Sequence, residues 1–148
     1  MKKLLLVAAL GFSSLIGGVA HAGTTTGTFN VNITLTTACT LTTINDLNFA
    51  YTSFQAAAAT PTSGGGFSVT CTNGVPYTFG LDALTTTDDA VNLTYTLSLP
   101  TPAAGTGAAQ AYTIGGSIAA SQGGTCASLG SCTNAAATNR QRTLTVTF

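Results

Sequence analysis

The chain has 148 residues and almost no charge, with four Lys or Arg balanced by four Asp or Glu. Charge this sparse excludes a nucleic-acid binder, which needs a basic surface to neutralise phosphates. It also removes the like-charge repulsion that normally keeps exposed strand edges apart.

Met1-Lys2-Lys3 precedes an apolar run from Leu4 to Leu10, and small residues follow as far as Ala20-His21-Ala22. A basic start, a short apolar centre and a small-x-small exit predict a secretory signal peptide over residues 1–22, cleaved after Ala22. Gly11, Ser13 and Ser14 interrupt the apolar run, which makes it short for a membrane span. Cleavage leaves Arg140 and Arg142 as the bases and Asp46, Asp82, Asp88 and Asp89 as the acids, a net charge of about −2. It also removes His21, the one histidine, and the chain has no Glu. Ser-His-Asp, Cys-His and Glu-based acid–base chemistry are thereby excluded. Asp88-Asp89 follows three Thr and reads as a solvated turn in preference to a calcium site. We expect no catalytic residues, no metal and no cofactor.

After a loose Gly23–Gly27 leader comes Phe29-Asn30-Val31-Asn32-Ile33-Thr34-Leu35. Apolar and polar residues alternate without a break, the period-2 signature of a strand with one buried face. The same phase continues through Cys39 and Leu41, so one long strand or two are both compatible with the pattern. A single strand would be about twice the usual 5–6 residues, which favours a division near Thr36. Asn45-Asp46 signals a turn, and Leu47, Phe49 and Tyr51 alternate. Residues 56–66 read as a loop containing Pro61. Phe67, Val69 and Cys71 alternate next. Thr72-Asn73-Gly74 is the strongest hairpin signal in the chain. Tyr77, Phe79 and Leu81 then alternate, and residues 82–89 read as a Thr/Asp connection. Val91, Leu93, Tyr95, Leu97 and Leu99 form the longest alternation, ended by Pro100 and Pro102. Tyr112, Ile114 and Ile118 mark a weaker strand, with Gly115-Gly116 as a bulge or bend. Residues 119–139 read as a long polar loop. Leu144, Val146 and Phe148 alternate to the last residue.

No helical period persists after the first 22 residues, and short strands separated by turn signals predict an all-β sandwich. Asn32-Ile33-Thr34 and Asn92-Leu93-Thr94 match the glycosylation pattern, which a Thr-rich chain produces by chance. Four Cys in an exported chain imply two disulfides with three possible connectivities. Cys39 and Cys71 end strand-like runs, whereas Cys126 and Cys132 flank a short loop, which favours Cys39–Cys71 and Cys126–Cys132. A structural zinc site would need a second close Cys pair, and Cys39 and Cys71 are too far apart in sequence to supply one.

Four segments carry a resemblance to a known family: Ala38-Cys39-Thr40, Leu47-Asn48-Phe49, Phe67-Ser68-Val69-Thr70-Cys71 and the closing Leu144-Thr145-Val146-Thr147-Phe148. Their order resembles the spore coat protein U domain, a family that includes the archaic chaperone–usher pilins. The resemblance implies an incomplete immunoglobulin-like β-sandwich, residues 37–148, lacking its last strand. It implies that residues 23–36 form a donor-strand extension, with Phe29, Val31, Ile33 and Leu35 as donor side chains. It places Leu144, Val146 and Phe148 on the strand bordering the acceptor groove and contacting a chaperone. The partners it implies are identical or related pilin subunits in a head-to-tail polymer, a periplasmic chaperone and an outer-membrane usher. The destination it implies is a fimbria on the cell surface, supporting adhesion or biofilm formation. The second cysteine pair stands outside the family pattern. A spore-coat or other envelope protein and a monomeric secreted module with a complete sandwich are the alternatives.

Overall fold

The computed structural model describes residues 23–148. The expected signal peptide lies outside the described residues. The chain divides into two units, one ending at Thr34 and one spanning Leu35–Phe148. In the first, residues 23–34 form no strand and no helix. The alternating segment predicts a strand, but a strand is a hydrogen-bonded partnership, and here no ladder is formed. Phe29, Val31 and Ile33 are exposed, at 86%, 71% and 85%.

The second unit is all-β. Its strands are β1 (Cys39–Leu41), β2 (Asn48–Phe49), β3 (Pro61–Ser63), β4 (Gly66–Cys71), β5 (Thr78–Leu81), β6 (Thr85–Thr87), β7 (Thr94–Ser98), β8 (Gln110–Thr113), β9 (Gly115–Ile118) and β10 (Leu144–Thr147). They form four small antiparallel sheets, β1-β4-β8, β10-β5, β2-β3 and β6-β7-β9. An antiparallel bridge from Ala59 to Ile118 links the segment before β3 to β9.

Phe67, Val69 and Cys71 of β4 are buried while Ser68 and Thr70 are not fully so, the alternation that the sequence displays. They meet Tyr77, Leu97, Ile114 and Leu144 in one core cluster, so three sheets contribute to a single interior. An aromatic seam joins β4 and β8 to β5. Phe79 stands edge-on to Phe67 at 5.3 Å and to Tyr112 at 5.0 Å, and Phe67 stacks on Tyr112 at 5.7 Å. The Tyr77 hydroxyl donates to or accepts from Tyr112 and bonds Gln110 Oε1 at 3.1 Å. Burial first, then the Tyr112 hydrogen bond, pushes the Tyr77 phenol up to about 12.

Two disulfides are present, Cys39–Cys71 and Cys126–Cys132. Cys39 and Cys71 are direct cross-strand partners with Cα atoms 4.1 Å apart, the close spacing of a non-hydrogen-bonded antiparallel pair. The adjacent Thr72 N–H donates to the Ala38 carbonyl. The bond fastens three-residue β1 to the strand that carries the core.

Several local expectations change. Thr72-Asn73-Gly74 does form a turn, closed by the Val75 N–H on the Thr72 carbonyl at 3.1 Å, but no hairpin. Gly74 has φ +81° while Asn73 is not left-handed, the pattern of a type II turn. Such a turn splays its flanking strands, so the chain leaves β4 and enters a different sheet at β5. The long alternation Val91–Leu99 shortens to β7, because Asn92 takes φ +51° and Val91 and Leu93 fall in the turn after β6. β6 itself lies in the expected 82–89 connection. Its Thr85 and Thr87 hydroxyls face those of Thr96 and Thr94 at 3.2 and 2.7 Å. β3 likewise lies in the expected 56–66 loop. The Gly115-Gly116 irregularity is a change of sheet, from β8 beside β4 to β9 beside β7. A Cβ on Gly116 would stand 2.8 Å from the Thr96 carbonyl oxygen, so only glycine permits this approach.

Phe67 is 5% exposed and sits in the aromatic seam. Phe67→Ala is expected to lower the unfolding free energy by about 3–5 kcal/mol, read from urea denaturation of the oxidised protein.

Candidate functional site

The second unit holds an open groove of about 1040 Å³. The buried side chains that line it are Leu97, Ile114, Ile118 and Leu144, together with the Asp88 carboxylate. Partly buried Ile44, Leu47, Phe49, Leu81, Leu93 and Tyr95 extend this apolar surface. Three stretches border it. One is the chain entering and forming β2, from Ile44 to Phe49, with Tyr51 beyond. Another is the start of β10 with the preceding Arg140–Thr143. The third comes from the 119–139 loop, through Gly123–Cys126 and Gly130–Asn134.

The backbone at these borders is the notable chemistry. Among the described residues β10 pairs with β5 alone and β2 with β3 alone. Each therefore retains one edge with no strand partner, and an unpaired edge carries donors and acceptors that a further strand can satisfy.

The expected bordering residues divide. Leu144 lines the groove and is buried. Val146 packs against the core and is the cross-strand partner of Phe79. Phe148 lies beyond the last ladder residue, is 57% exposed and takes no part in the groove lining. Leu35 is exposed, like Phe29, Val31 and Ile33.

Charged residues near the groove serve the loops. Arg142 bonds Asp82 at 3.3 Å and donates to the Asn139 carbonyl. Asp82 also accepts the Thr143 N–H at 3.0 Å. That backbone bond, then the Ala83 N–H and the Arg142 charge, hold the Asp82 carboxyl below the usual carboxylate range, against a smaller opposing effect of burial. Asp89 is also lowered, chiefly by the Thr138 hydroxyl and then its N–H. Asp88 corrects the solvated-turn expectation, since it is only 3% exposed. Its Oδ1 accepts the Ala90 and Val91 N–H groups at 3.0 Å, and its Oδ2 accepts Asn134 Nδ2 at 2.8 Å. A carboxylate so engaged organises the turn into β7. No cluster of three or more His, Cys, Asp or Glu capable of holding a metal occurs among the described residues.

Sequence reasoning missed the contribution of the 119–139 loop to the groove. Its Ala, Ser, Gly and Thr carry no periodic signal. The one legible hint was Cys126 with Cys132, which marks a loop held in a fixed shape.

The unit is all-β, with a groove between strands that each keep one edge unpaired. The Spore Coat Protein U domain model matches residues 25–146, and the chain belongs to that family of structural, fimbrial-type domains. The matched span includes the alternating segment Phe29–Leu35. No curated protein and no solved structure matches the chain.

A carboxylate held low in the folded state stabilises the fold above the ordinary carboxylate pKa, and that contribution is lost as pH falls through the lowered value. Stability is therefore expected to decline as pH drops below about 4, and Asp82→Asn is expected to flatten this decline. Urea midpoints collected from pH 6 to pH 2 check it; an unchanged slope in the variant contradicts the assignment.

Proposed function

We propose that the protein is a structural subunit of a cell-surface fimbria, assembled head to tail by donor-strand complementation in a chaperone–usher pathway. In this reading the leader directs export to the periplasm, and a periplasmic chaperone fills the groove of the new subunit. At an outer-membrane usher, residues 29–35 of another copy replace the chaperone's strand.

The observation that carries the reading is a groove with a run of apolar lining residues, bordered by β2 and β10, each of which keeps one edge unpaired. It calls for an occupant that is both a strand and apolar on one face. Phe29–Leu35 supplies that combination. Its alternate side chains enter the apolar floor while its backbone pairs with a free edge, the arrangement of β-augmentation. Seven residues span about 23 Å at ~3.3 Å each, enough to run along a sandwich edge. Burial of Phe29, Val31, Ile33 and Leu35, at about 1.5–3 kcal/mol each, contributes roughly 6–12 kcal/mol before ordering costs. Each copy has one segment to give and one groove to receive, so the contact is heterologous and propagates as an open filament.

The family description also supports a second reading, a spore-coat or other envelope polymer. It shares the head-to-tail contact and differs in where the polymer is laid down. Electron microscopy of labelled cells separates a fibre from a coat layer.

Ile33→Asp places a charge on the apolar face of the proposed donor strand. The parent mature protein, refolded oxidised, is expected to give ladders on gels that resist mild heating and collapse on full denaturation. The variant is expected to remain monomeric with unchanged circular dichroism. Ladders of undiminished length from the variant would refute the donor role of Phe29–Leu35.

A further inference from the structure

We propose that the Cys126–Cys132 disulfide is a covalent brace for one wall of the groove, and that its role is to retain the inserted strand. This inference rests on the reading just given, in which the occupant is residues 29–35 of another copy.

The loop lines the groove on both sides of the disulfide, through Thr125 and Cys126 and through Cys132 and Asn134. It is pinned to the body upstream and downstream. Upstream, the Gln122 side chain accepts the Thr94 N–H and donates to the Thr94 carbonyl, both at 2.7 Å. The Thr125 N–H donates to the Val91 carbonyl at 2.7 Å. Downstream, Asn134 donates to the buried Asp88 carboxylate at 2.8 Å, and Asn139 Nδ2 donates to the Thr87 carbonyl at 2.8 Å. Both pins grip the same stretch, 87–94, which carries Val91 and Leu93 into the groove.

Between the pins the wall has nothing else to hold it. Residues 126–133 are all exposed, and none of them donates or accepts a hydrogen bond that ties it to the rest of the unit. Leu129 in the middle of the loop points away from any packing, fully exposed. A stretch of Ala, Ser and Gly without burial or ladder bonds has no enthalpic reason to keep one shape. The disulfide therefore joins the upstream pin to the downstream pin across two short links, Thr125-Cys126 and Cys132-Thr133-Asn134. The braced loop, its two pins and residues 87–94 form a closed ring.

An inserted strand lies against that ring. With the ring closed, the wall swings outward only if several hydrogen bonds break together. With it open, each half of the wall moves independently and the strand escapes past it. Changes at a preformed interface of this kind act mainly on the dissociation rate.

The test uses the mature chain carrying Ile33→Asp, which cannot load its neighbours, with a fluorescent synthetic peptide of residues 23–38 as occupant. Cys126→Ser/Cys132→Ser is added in this background, leaving Cys39–Cys71 intact. Peptide release is expected to accelerate on the order of tenfold, with association changed little. A second variant, Asn134→Ala, keeps both disulfides and removes the downstream pin; it is expected to shift release in the same direction. If both folded variants release peptide at the parental rate, the brace is overturned while the donor-strand reading stands. If the disulfide variant does not fold, Asn134→Ala alone decides. If the parental chain takes up no peptide, the donor-strand reading fails and the brace falls with it.

Discussion

A β-strand with one neighbour is only half satisfied. Among the described residues that condition applies to every strand but β4 and β7, and β2 and β10 are two that border the groove. Water can solvate the free N–H and C=O groups, but the same water also meets the partly exposed Ile44, Leu47, Phe49, Leu93 and Tyr95 of the lining. The backbone and the core thus make the same demand, for a strand that is apolar on one side. Most sandwich proteins meet it within one chain. Here the segment with the matching pattern, Phe29–Leu35, has its Phe29, Val31, Ile33 and Leu35 side chains exposed.

The rest of the unit preserves this geometry with few charges. The core is small and closes around β4, whose buried face supplies Phe67, Val69 and Cys71. Cys39–Cys71 ties the first strand to that centre, so the chain immediately following the alternating segment is anchored covalently. The aromatic seam of Phe67, Phe79 and Tyr112 joins the β1-β4-β8 sheet to the β5-β10 pair. The position of β10, and with it one border of the groove, therefore depends on packing several residues away. Polar work is left to backbone, Thr hydroxyls and a few Asp carboxylates, each used to fix a loop. A surface with so little charge has weak protection against edge-to-edge pairing, which suits a chain whose family is structural.

The fold class was legible from period alone, because Phe67–Cys71, Tyr77–Leu81 and Leu144–Phe148 each alternate and each yields a strand. What the pattern hid was pairing. Asn73-Gly74 has the composition of a hairpin turn, yet the turn type depends on which residue takes positive φ, and composition leaves that open. The strand at Thr85–Thr87 was masked by uniform Thr, whose alternation has no contrast until its partner Thr94–Thr96 is in place. Asp88 reads as a surface residue in any sequence window. Its burial follows from Asn134, 46 residues away. The groove was visible only in outline, since its apolar residues sit in recognisable strands while its third wall is a loop of Ala, Ser, Gly and Thr.

The central claim is that the groove of one molecule is filled by Phe29–Leu35 of another. A photo-reactive benzophenone side chain at position 33, in an equal mixture of isotopically light and heavy mature protein, tests it without assuming a register. After irradiation and digestion, mass spectrometry should find mixed light–heavy crosslinks from position 33 to residues 44–51, 91–97 or 140–144. Crosslinks confined to one isotope, or falling outside those stretches, would contradict the account.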